Sequence, residues 1–197
     1  IYGCEAYLVD DLGAVCRFTR GQTIDDEFVV FDIETTGLNK DTDNIIEIGA
    51  AKVKNGQITD RFSALIDPEM LLPDKIVKIT GITDDLLKGK PKIKHVLGEF
   101  IEFMGDAVLV AHNAAFDVGF IATWARRLYE KNIANTTLDT VELARTLYPD
   151  LPNHQLNTVA AHLEISLENH HRAVDDAEAT AEILIKSFER IKEEGGN

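Results

Sequence analysis

Two acidic residues, Asp32 and Glu34, end an apolar run within residues 28–38, FVVFDIETTGL. An apolar run rich in Val and Phe is typical of a buried central strand. Successive strand side chains point to opposite faces, so Asp32 and Glu34 share one face while Ile33 points to the other. Two carboxylates about 4 Å apart repel by roughly 4 kcal/mol at an effective dielectric of about 20. The pair must therefore hold a proton or bind a cation, unless the strand simply ends in polar residues on reaching solvent.

Oxygen-only ligands favour a hard divalent ion such as Mg²⁺ or Mn²⁺. A further candidate ligand, Asp117, follows a second apolar run at residues 107–111. This run predicts a short buried strand that leads into a helix with Asn113 as its N-cap. Asp117 then lies in the first turn of this helix, at one edge of the sheet. The strand at 28–34 can bring Asp32 and Glu34 to the same edge. The alternative is an acid that only stabilises the positive end of the helix dipole.

A third pattern lies at residues 170–176, HHRAVDD, where two His–Asp pairs share the same five-residue spacing. The pairs are His170 with Asp175 and His171 with Asp176. The following helix, predicted over 172–192, has one apolar face made of Ala173, Ala177, Ala181, Leu184, Phe188 and Ile191. Asp176 borders that face, whereas Asp175 lies about 100° further round and should be solvated. We therefore select His171 and Asp176, although a histidine at a helix start can also be purely structural.

The elements that must position these residues follow from periodicity and turn signals. Strands are predicted at 28–34, 45–53, 58–66 and 107–111, with a hairpin turn at Asn55-Gly56. Helices are predicted at 74–79, 83–88, 93–104, 114–129, from about 140 to before Pro149, 156–163 and 172–192. Strands come first and then helices alternate with short strands, which predicts an α/β fold with a mixed sheet.

Composition sets the class of protein. The chain has 197 residues, 45% of them hydrophobic and 27% charged, as in an ordinary globular domain. No apolar run is long enough to span a membrane, and the two cysteines have no metal-ligand spacing. These features favour a cytoplasmic setting. The formal net charge of −14 predicts weak intrinsic affinity for nucleic acid, so another domain or subunit would have to deliver such a substrate.

Residues 1–24 differ from the rest of the chain, because they offer one short strand and a turn but too few residues for a core. We interpret them as the remnant of a flanking domain, which can be disordered when isolated. Residues 25–197 then form the main domain. Since the first residue is Ile, the sequence is expected to be a segment of a longer protein.

Taken together, the three motifs D-x-E-T-T-G, H-N-x-x-F-D and H-R-A-x-x-D-A, in this order, resemble the DEDDh branch of the DnaQ-like 3′→5′ exonucleases. The resemblance implies an RNase H-like fold with a mixed five-stranded sheet flanked by helices. The segments 80–85, 139–145 and 170–173 look like the proofreading domains of PolC-type DNA polymerase III alpha subunits. By the same resemblance, residues 1–24 belong to a PHP-like domain.

The resemblance also implies roles for individual residues. The implied metal ligands are Asp32, Glu34, Asp117 and Asp176, which would hold two divalent ions, Mg²⁺ or Mn²⁺, with His171 as the general base. Substrate contacts are expected from Thr36, Gly37, Leu38, His112, Asn113 and Phe116, with Leu38 and Phe116 against the terminal bases. For Phe116 the alternative is ordinary packing, and Asp139 and Asn157 are interpreted as structural caps.

The implied function is a metal-dependent 3′→5′ exonuclease that proofreads DNA and releases nucleoside monophosphates. Its partners would be a single-stranded or frayed 3′ end of DNA and the remainder of a replicative polymerase chain. Two alternatives stay open: an RNA-trimming member of the same family, because motifs do not show how the 2′-position is discriminated, and a non-catalytic module of the replication machinery. The complete acidic set argues against the second.

Overall fold

The computed structural model describes residues 16–17, 23–167 and 170–193, so most of the predicted flanking segment 1–24 lies outside the described residues. Within them, six strands form one sheet in the order β1-β6-β5-β2-β3-β4. The strands are β1 (Cys16–Arg17), β2 (Phe28–Thr35), β3 (Ile45–Lys54), β4 (Gln57–Leu65), β5 (Val108–Ala111) and β6 (Thr137–Asp139). The predicted mixed sheet is confirmed, and the two-residue β1 adds an edge strand to the five that lie in the main domain.

Strand β2 lies inside the sheet, antiparallel to β3 and parallel to β5. The β3–β4 hairpin turns at Asn55 and Gly56, whose φ angles are 52° and 72°. Two consecutive positive φ angles are what a tight hairpin turn requires, which explains the Asn-Gly pair. Strand β6 runs parallel to β5 and was not located from the sequence, because three residues are too short for a periodic pattern.

Helices cover both faces of the sheet. They are α1 (Asp74–Thr80), α2 (Asp84–Leu87), α3 (Ile93–Met104), α4 (Ala114–Tyr129), α5 (Thr140–Leu147), α6 (Leu156–His162) and α7 (Ala173–Glu193). Their bounds agree with the predicted ones to within about two residues, which is the usual uncertainty of helix ends. In the part of the chain described, no helix combines the length and apolar character needed for a membrane span.

Alternation along β2 divides the core into two halves. Val30 packs with residues of α5, α6 and α7, including Leu143, Val159 and Leu184. Val29 faces the other side and packs with residues of α3 and α4, including Phe100 and Phe120. Asp32 and Glu34 follow Val30 on the α7 side of the sheet. The packing that buries β2 therefore also brings the first turn of α7 over its two acids.

Candidate active site

The acidic pair of β2 lies where the sequence predicts. Asp32 and Glu34 are both half-buried, while Ile33 between them is 4% exposed and packs in the opposite half of the core. Beyond Glu34 the β2–β3 register shifts, and the strand ends at Thr35. The two carboxylates are thus presented at the carboxyl end of an internal strand.

Asp117 reaches this strand end from α4. Its side chain is 3% exposed, and its Oδ1 accepts a hydrogen bond of 3.2 Å from the backbone N–H of Ile33. The parallel pairing of β5 with β2 covers only residues 28–30 of β2, so the N–H of Ile33 has no partner on β5. The carboxylate of Asp117 satisfies this buried donor, which fixes the first turn of α4 beside the acidic pair.

Asp176 completes the cluster from α7. It is 4% exposed, whereas its neighbour Asp175 is only half-buried, as the helical pattern predicts. Carboxylate oxygens of Asp32, Glu34 and Asp176 lie within 4.8 Å of one another. Three acids from two elements therefore converge, and Asp117 borders them through its hydrogen bond to Ile33.

Burial and mutual repulsion disfavour ionisation of these acids. Burial, and then the charge of Asp117, raises the pKa of Asp32 well above its usual range. The pKa of Glu34 is raised to about 8, mainly by burial and by Asp176. Burial also raises the pKa of Asp117. A group of carboxylates that resists ionisation in this way fits a hard divalent cation, which supplies the missing positive charge.

Two histidines lie beside Asp176. The Nδ1 of His170 is 2.9 Å and 3.1 Å from the two carboxylate oxygens of Asp176. His171 donates its backbone N–H to Asp176 Oδ2 at 3.1 Å and stacks its ring on His170, with ring centroids 3.9 Å apart. The structure thus brings His171 to Asp176 as the sequence predicts. It also gives His170, which the spacing paired with Asp175, a direct side-chain contact with Asp176.

The loop after β2 carries three of the predicted substrate residues. Thr36 is buried, and it exchanges hydrogen bonds with Asn44 through its backbone N–H and its hydroxyl. A Cβ on Gly37 would lie 2.4 Å from a carboxylate oxygen of Asp43, so a larger residue here would displace the Asp43 side chain, which accepts from the backbone N–H of Asn39. Leu38 is 85% exposed. The loop is held at its base by Thr36 and presents Leu38 to solvent.

The other predicted substrate residues precede or begin α4. His112 is half-buried, and its two ring nitrogens lie 2.9 Å from Thr140 Oγ1 and 2.8 Å from the carbonyl oxygen of His154. Both nitrogens are therefore engaged within the protein. Phe116 is half-buried and packs 4.9 Å from the ring of Phe120, which agrees with the packing alternative for much of its surface.

Asn113 is exposed, adopts a left-handed conformation with φ of 76°, and makes no side-chain cap to α4. Asn113 is the N-cap of α4 as predicted, but its own side chain makes no hydrogen bond to the helix, and Asp139 supplies the acceptor instead. The carboxylate of Asp139 accepts hydrogen bonds of 2.9–3.1 Å from the backbone N–H groups of Asn113, Ala114 and Val141. Its interpretation as a structural cap is confirmed.

Asn157 is not the cap of its helix, since α6 begins after Gln155 as the N-cap. Sequence reasoning also missed Glu47 and Arg172. Glu47 is fully buried on β3 as the Cα partner of Glu34, and Arg172 binds its carboxylate at 2.8 Å. The signal available was one acid, Glu47, within an apolar stretch of the strand predicted at 45–53 whose other charged residue is Lys52 near its end.

This fold and this site define an exonuclease of the RNase H-like class. Exonuclease X in complex with 5′ overhanging duplex DNA superimposes with a TM-score of 0.67 and 27% identity, over 86% of this chain and 94% of that chain. Exonuclease I of E. coli in complex with a dT13 oligonucleotide shares the fold, with a TM-score of 0.76 at 19% identity, over 86% and 42% of the two chains.

The sequence profile of the RNase_T family, described as Exonuclease, matches residues 29–184. The chain belongs to this exonuclease family. It is similar to the PolC-type DNA polymerase III of Clostridium perfringens, at 55% identity over 98% of this chain, and to that of Bacillus subtilis, at 46% over 99%. It spans only 13–14% of the length of these two relatives. The predicted resemblance to the DnaQ-like and PolC-type exonucleases is thereby confirmed.

Proposed function

We propose that this chain is the proofreading 3′→5′ exodeoxyribonuclease domain of a PolC-type DNA polymerase III. The observation that supports this most directly is the convergence of Asp32, Glu34 and Asp176 within 4.8 Å in a member of an exonuclease family. The similarity to PolC-type polymerases over nearly the whole chain supports DNA as the substrate and replication as the setting. Such a polymerase works in the cytoplasm.

In this proposal Asp32, Glu34, Asp117 and Asp176 hold two divalent ions, Mg²⁺ or Mn²⁺. Bound there, the ions would supply an activated water and stabilise the leaving oxygen of the phosphodiester. The carboxylates then ionise, because the cations remove the repulsion that raises their pKa values in the metal-free protein. The hydrogen bond from Ile33 holds Asp117 in place throughout.

His171 is the proposed general base for the attacking water. Burial, and then the neighbouring His170, lowers the pKa of His171 below its usual range, so its ring is neutral and able to accept a proton at neutral pH. Its backbone N–H is fixed to Asp176, which supports a constant position beside the carboxylates. The exposed ring face remains accessible to substrate.

Substrate positioning is assigned to the two loops at this strand end. The exposed Leu38 is placed to contact a terminal base, while Thr36 and Gly37 hold its loop. The exposed Asn113 directly precedes α4, the helix that carries Asp117. The Asn113 side chain can therefore contact the sugar-phosphate backbone of the DNA substrate. His112 and Phe116 contribute chiefly by fixing this second loop, since their own contacts lie within the protein.

The remainder of the polymerase would deliver the substrate, a single-stranded or frayed 3′ end. The net charge of −14 opposes nucleic-acid binding at a distance, because it repels phosphates rather than attracting them. Residues 1–24 are proposed to come from the flanking PHP-like domain, and β1 would then join that flank to the exonuclease sheet through its pairing with β6.

A gel time course tests the activity and its direction. A 5′-labelled single-stranded DNA is incubated with the protein and Mg²⁺ or Mn²⁺, beside a chelator lane and an RNA strand of the same sequence. We expect a ladder on DNA that shortens one nucleotide at a time and disappears with chelator. Equal or faster shortening of RNA would favour the RNA-trimming alternative, and no cleavage by either the fragment or the full polymerase would favour a non-catalytic module.

A further inference from the structure

Glu47 is a buried acid that the proposed mechanism does not use. It is fully buried on β3, where its Cα pairs with that of the proposed ligand Glu34. A charged carboxylate in such a place is strongly unfavourable unless it is paired and hydrogen-bonded. The hydrogen-bond partners of Glu47 therefore indicate what this acid does beside the three clustered acids Asp32, Glu34 and Asp176.

Both carboxylate oxygens of Glu47 are occupied by donors from the start of α7. Oε1 accepts from Arg172 Nη2 at 2.8 Å and from Nε at 3.3 Å. Oε2 accepts from Arg172 Nε at 3.2 Å and from the backbone N–H of Ala173 at 3.1 Å. Glu47 thus binds the Nε and Nη2 edge of the guanidinium with both carboxylate oxygens, and it also accepts from the first residue of the helix. With its charge balanced and its oxygens occupied, it is not a free metal ligand.

Gly49, two residues further along β3, makes a second contact with the same turn. A Cβ at this position would lie 2.2 Å from the backbone carbon of Ala173 and from the nitrogen of Val174. No side chain larger than hydrogen fits, so the first turn of α7 rests directly on the strand. Gly49 is also the Cα partner of Asp32, which places this contact next to the acidic pair.

We propose that Glu47 is a positioning residue for catalysis, which fixes the first turn of α7 through Arg172 and Ala173. This inference rests on the proposed function. Asp176 follows Arg172 by one helical turn, its backbone N–H bonded to the carbonyl oxygen of Arg172 at 3.0 Å, and His171 directly precedes Arg172. Any shift of this turn therefore moves a proposed ligand and the proposed base together, away from the carboxylates of β2.

The test compares Glu47→Gln with Glu178→Gln. Glu178 lies on the same helix and also bonds an arginine of the sheet, Arg61 Nε, at 2.6 Å, but both side chains are more than a third exposed. It is therefore a matched control for an ion pair between sheet and helix. For each variant we would measure kcat and KM on single-stranded DNA at saturating Mn²⁺, the Mn²⁺ concentration that gives half-maximal activity, and the increase in Tm that Mn²⁺ produces.

For Glu47→Gln we expect a folded protein whose kcat falls about 10- to 100-fold, the range found for residues that orient metal ligands. KM should change by less than about threefold, since the substrate loops are untouched, and the Mn²⁺ concentration needed for half-maximal activity should rise. Glu178→Gln should behave as the wild type. A folded Glu47→Gln protein with wild-type kcat and wild-type Mn²⁺ response would overturn the proposal.

Arg172→Lys and Gly49→Ala provide independent routes to the same displacement. Lysine keeps the charge but loses the bidentate contact through Nε and Nη2, and the added methyl group of Gly49→Ala pushes α7 outward without any charge change. Both should show the same pattern of lowered kcat with a weakened Mn²⁺ response. Failure of Glu47→Gln and Arg172→Lys to fold, with Glu178→Gln folded, would assign Glu47 a structural role only and overturn the proposal.

The two readouts also separate this inference from the proposed function. A wild type that is stabilised by Mn²⁺ but does not shorten DNA, either alone or within the full polymerase, would contradict the proposed function. In that case a smaller Mn²⁺ stabilisation in Glu47→Gln than in Glu178→Gln would still support the positioning role, and equal stabilisation would contradict it.

Discussion

In the proposed mechanism, carboxylates that repel one another in the metal-free protein would become ligands once a cation is bound. Asp32 shows the consequence most clearly, because burial and its acidic neighbours oppose its ionisation in the folded state. In the unfolded chain the same side chain ionises freely near neutral pH. The folded protein is thus destabilised by the residue that its proposed chemistry requires, a common relation between stability and function.

Asp32→Asn should therefore change stability and activity in opposite directions. In chelator at pH 8 we expect its Tm to rise by about 2–4 °C, since removal of the disfavoured acid gains about 1 kcal/mol or more. The increase in Tm on adding Mn²⁺ should largely disappear, and so should exonuclease activity. Differential scanning fluorimetry with and without Mn²⁺ measures both shifts. Asp175→Asn, on the same helix turn as Asp176 but outside the cluster, is the control and should keep the Mn²⁺ response.

The adjacent histidines call for a paired test. His171→Ala should lower kcat by about 10²–10⁴-fold, as expected for loss of a general base, and should retain most of the Mn²⁺-induced stabilisation. His170→Ala removes a hydrogen bond to Asp176 and should lower kcat by about 10-fold through that ligand. Single-turnover rates at saturating Mn²⁺ distinguish the two. A larger loss in His170→Ala than in His171→Ala would transfer the role of base to His170.

At the scale of secondary-structure elements, the site depends on how helix starts are attached to the sheet. Asp139 is the last residue of β6, and its carboxylate accepts hydrogen bonds from three backbone N–H groups. Two of them come from Asn113 and Ala114 at the start of α4, and the third comes from Val141 in α5. One carboxylate therefore anchors the helix that carries Asp117 and the helix that follows β6. These donors would otherwise lack helical partners, as at any helix start.

Asp139→Ala should destabilise the protein by about 2–3 kcal/mol, because it removes the cap of two helices at once. Asp139→Asn should lose less, since its amide oxygen still accepts. Urea unfolding at constant m-value measures the difference. Asp85→Ala, an exposed acid in the first turn of α2, should change stability by no more than about 0.5 kcal/mol. A similarly small effect of Asp139→Ala would show that the described hydrogen bonds do not hold α4.

These attachments mark the limit of what the sequence predicts. Asp32, Glu34, Asp117 and Asp176 were found because local periodicity places each at the end or start of an element, and motif order relates them. Glu47 and Arg172 were missed because their meaning arises from a contact between residues 125 positions apart. Asp139 was predicted as a cap, but strand β6 and the bonds from Asp139 to the start of α4 were hidden for a related reason. A three-residue strand is too short to show an alternating hydrophobic pattern. In the sequence, a helix cap that also accepts hydrogen bonds from a distant segment looks the same as a cap that binds only its own helix.

At the scale of the whole molecule, the excess of acidic residues has two effects, one local to the candidate site and one on the net charge of the domain. Some carboxylates are concentrated at one strand end, where divalent cations can neutralise them. The rest contribute to a net charge of −14, which disfavours capture of DNA from solution. Under the proposed function, the remainder of the polymerase would overcome this repulsion by delivering the strand.

The same acids should make the stability of the metal-free protein depend on pH. The pKa of Glu34 is raised to about 8, and those of Asp32 and Asp117 are raised as well, so the folded state binds more protons than the unfolded state up to about pH 8. Stability then falls as pH rises, by up to about 1.4 kcal/mol per pH unit for each carboxylate that stays protonated. The lowered pKa of His112 acts in the opposite direction, but only below its unfolded value of about 6.5.

The clearest window is therefore pH 6.5–8, where we expect the free energy of unfolding in chelator to decrease steadily. Saturating Mg²⁺ should raise stability most at pH 8 and flatten the curve, because the cation replaces the protons that the folded carboxylates hold. Urea unfolding at several pH values, with chelator or Mg²⁺, provides the measurement. Glu34→Gln should reduce the slope in chelator, whereas Glu178→Gln should not. A flat or rising curve for the metal-free wild type would mean that these acids ionise without a cation, contrary to the electrostatics of the site.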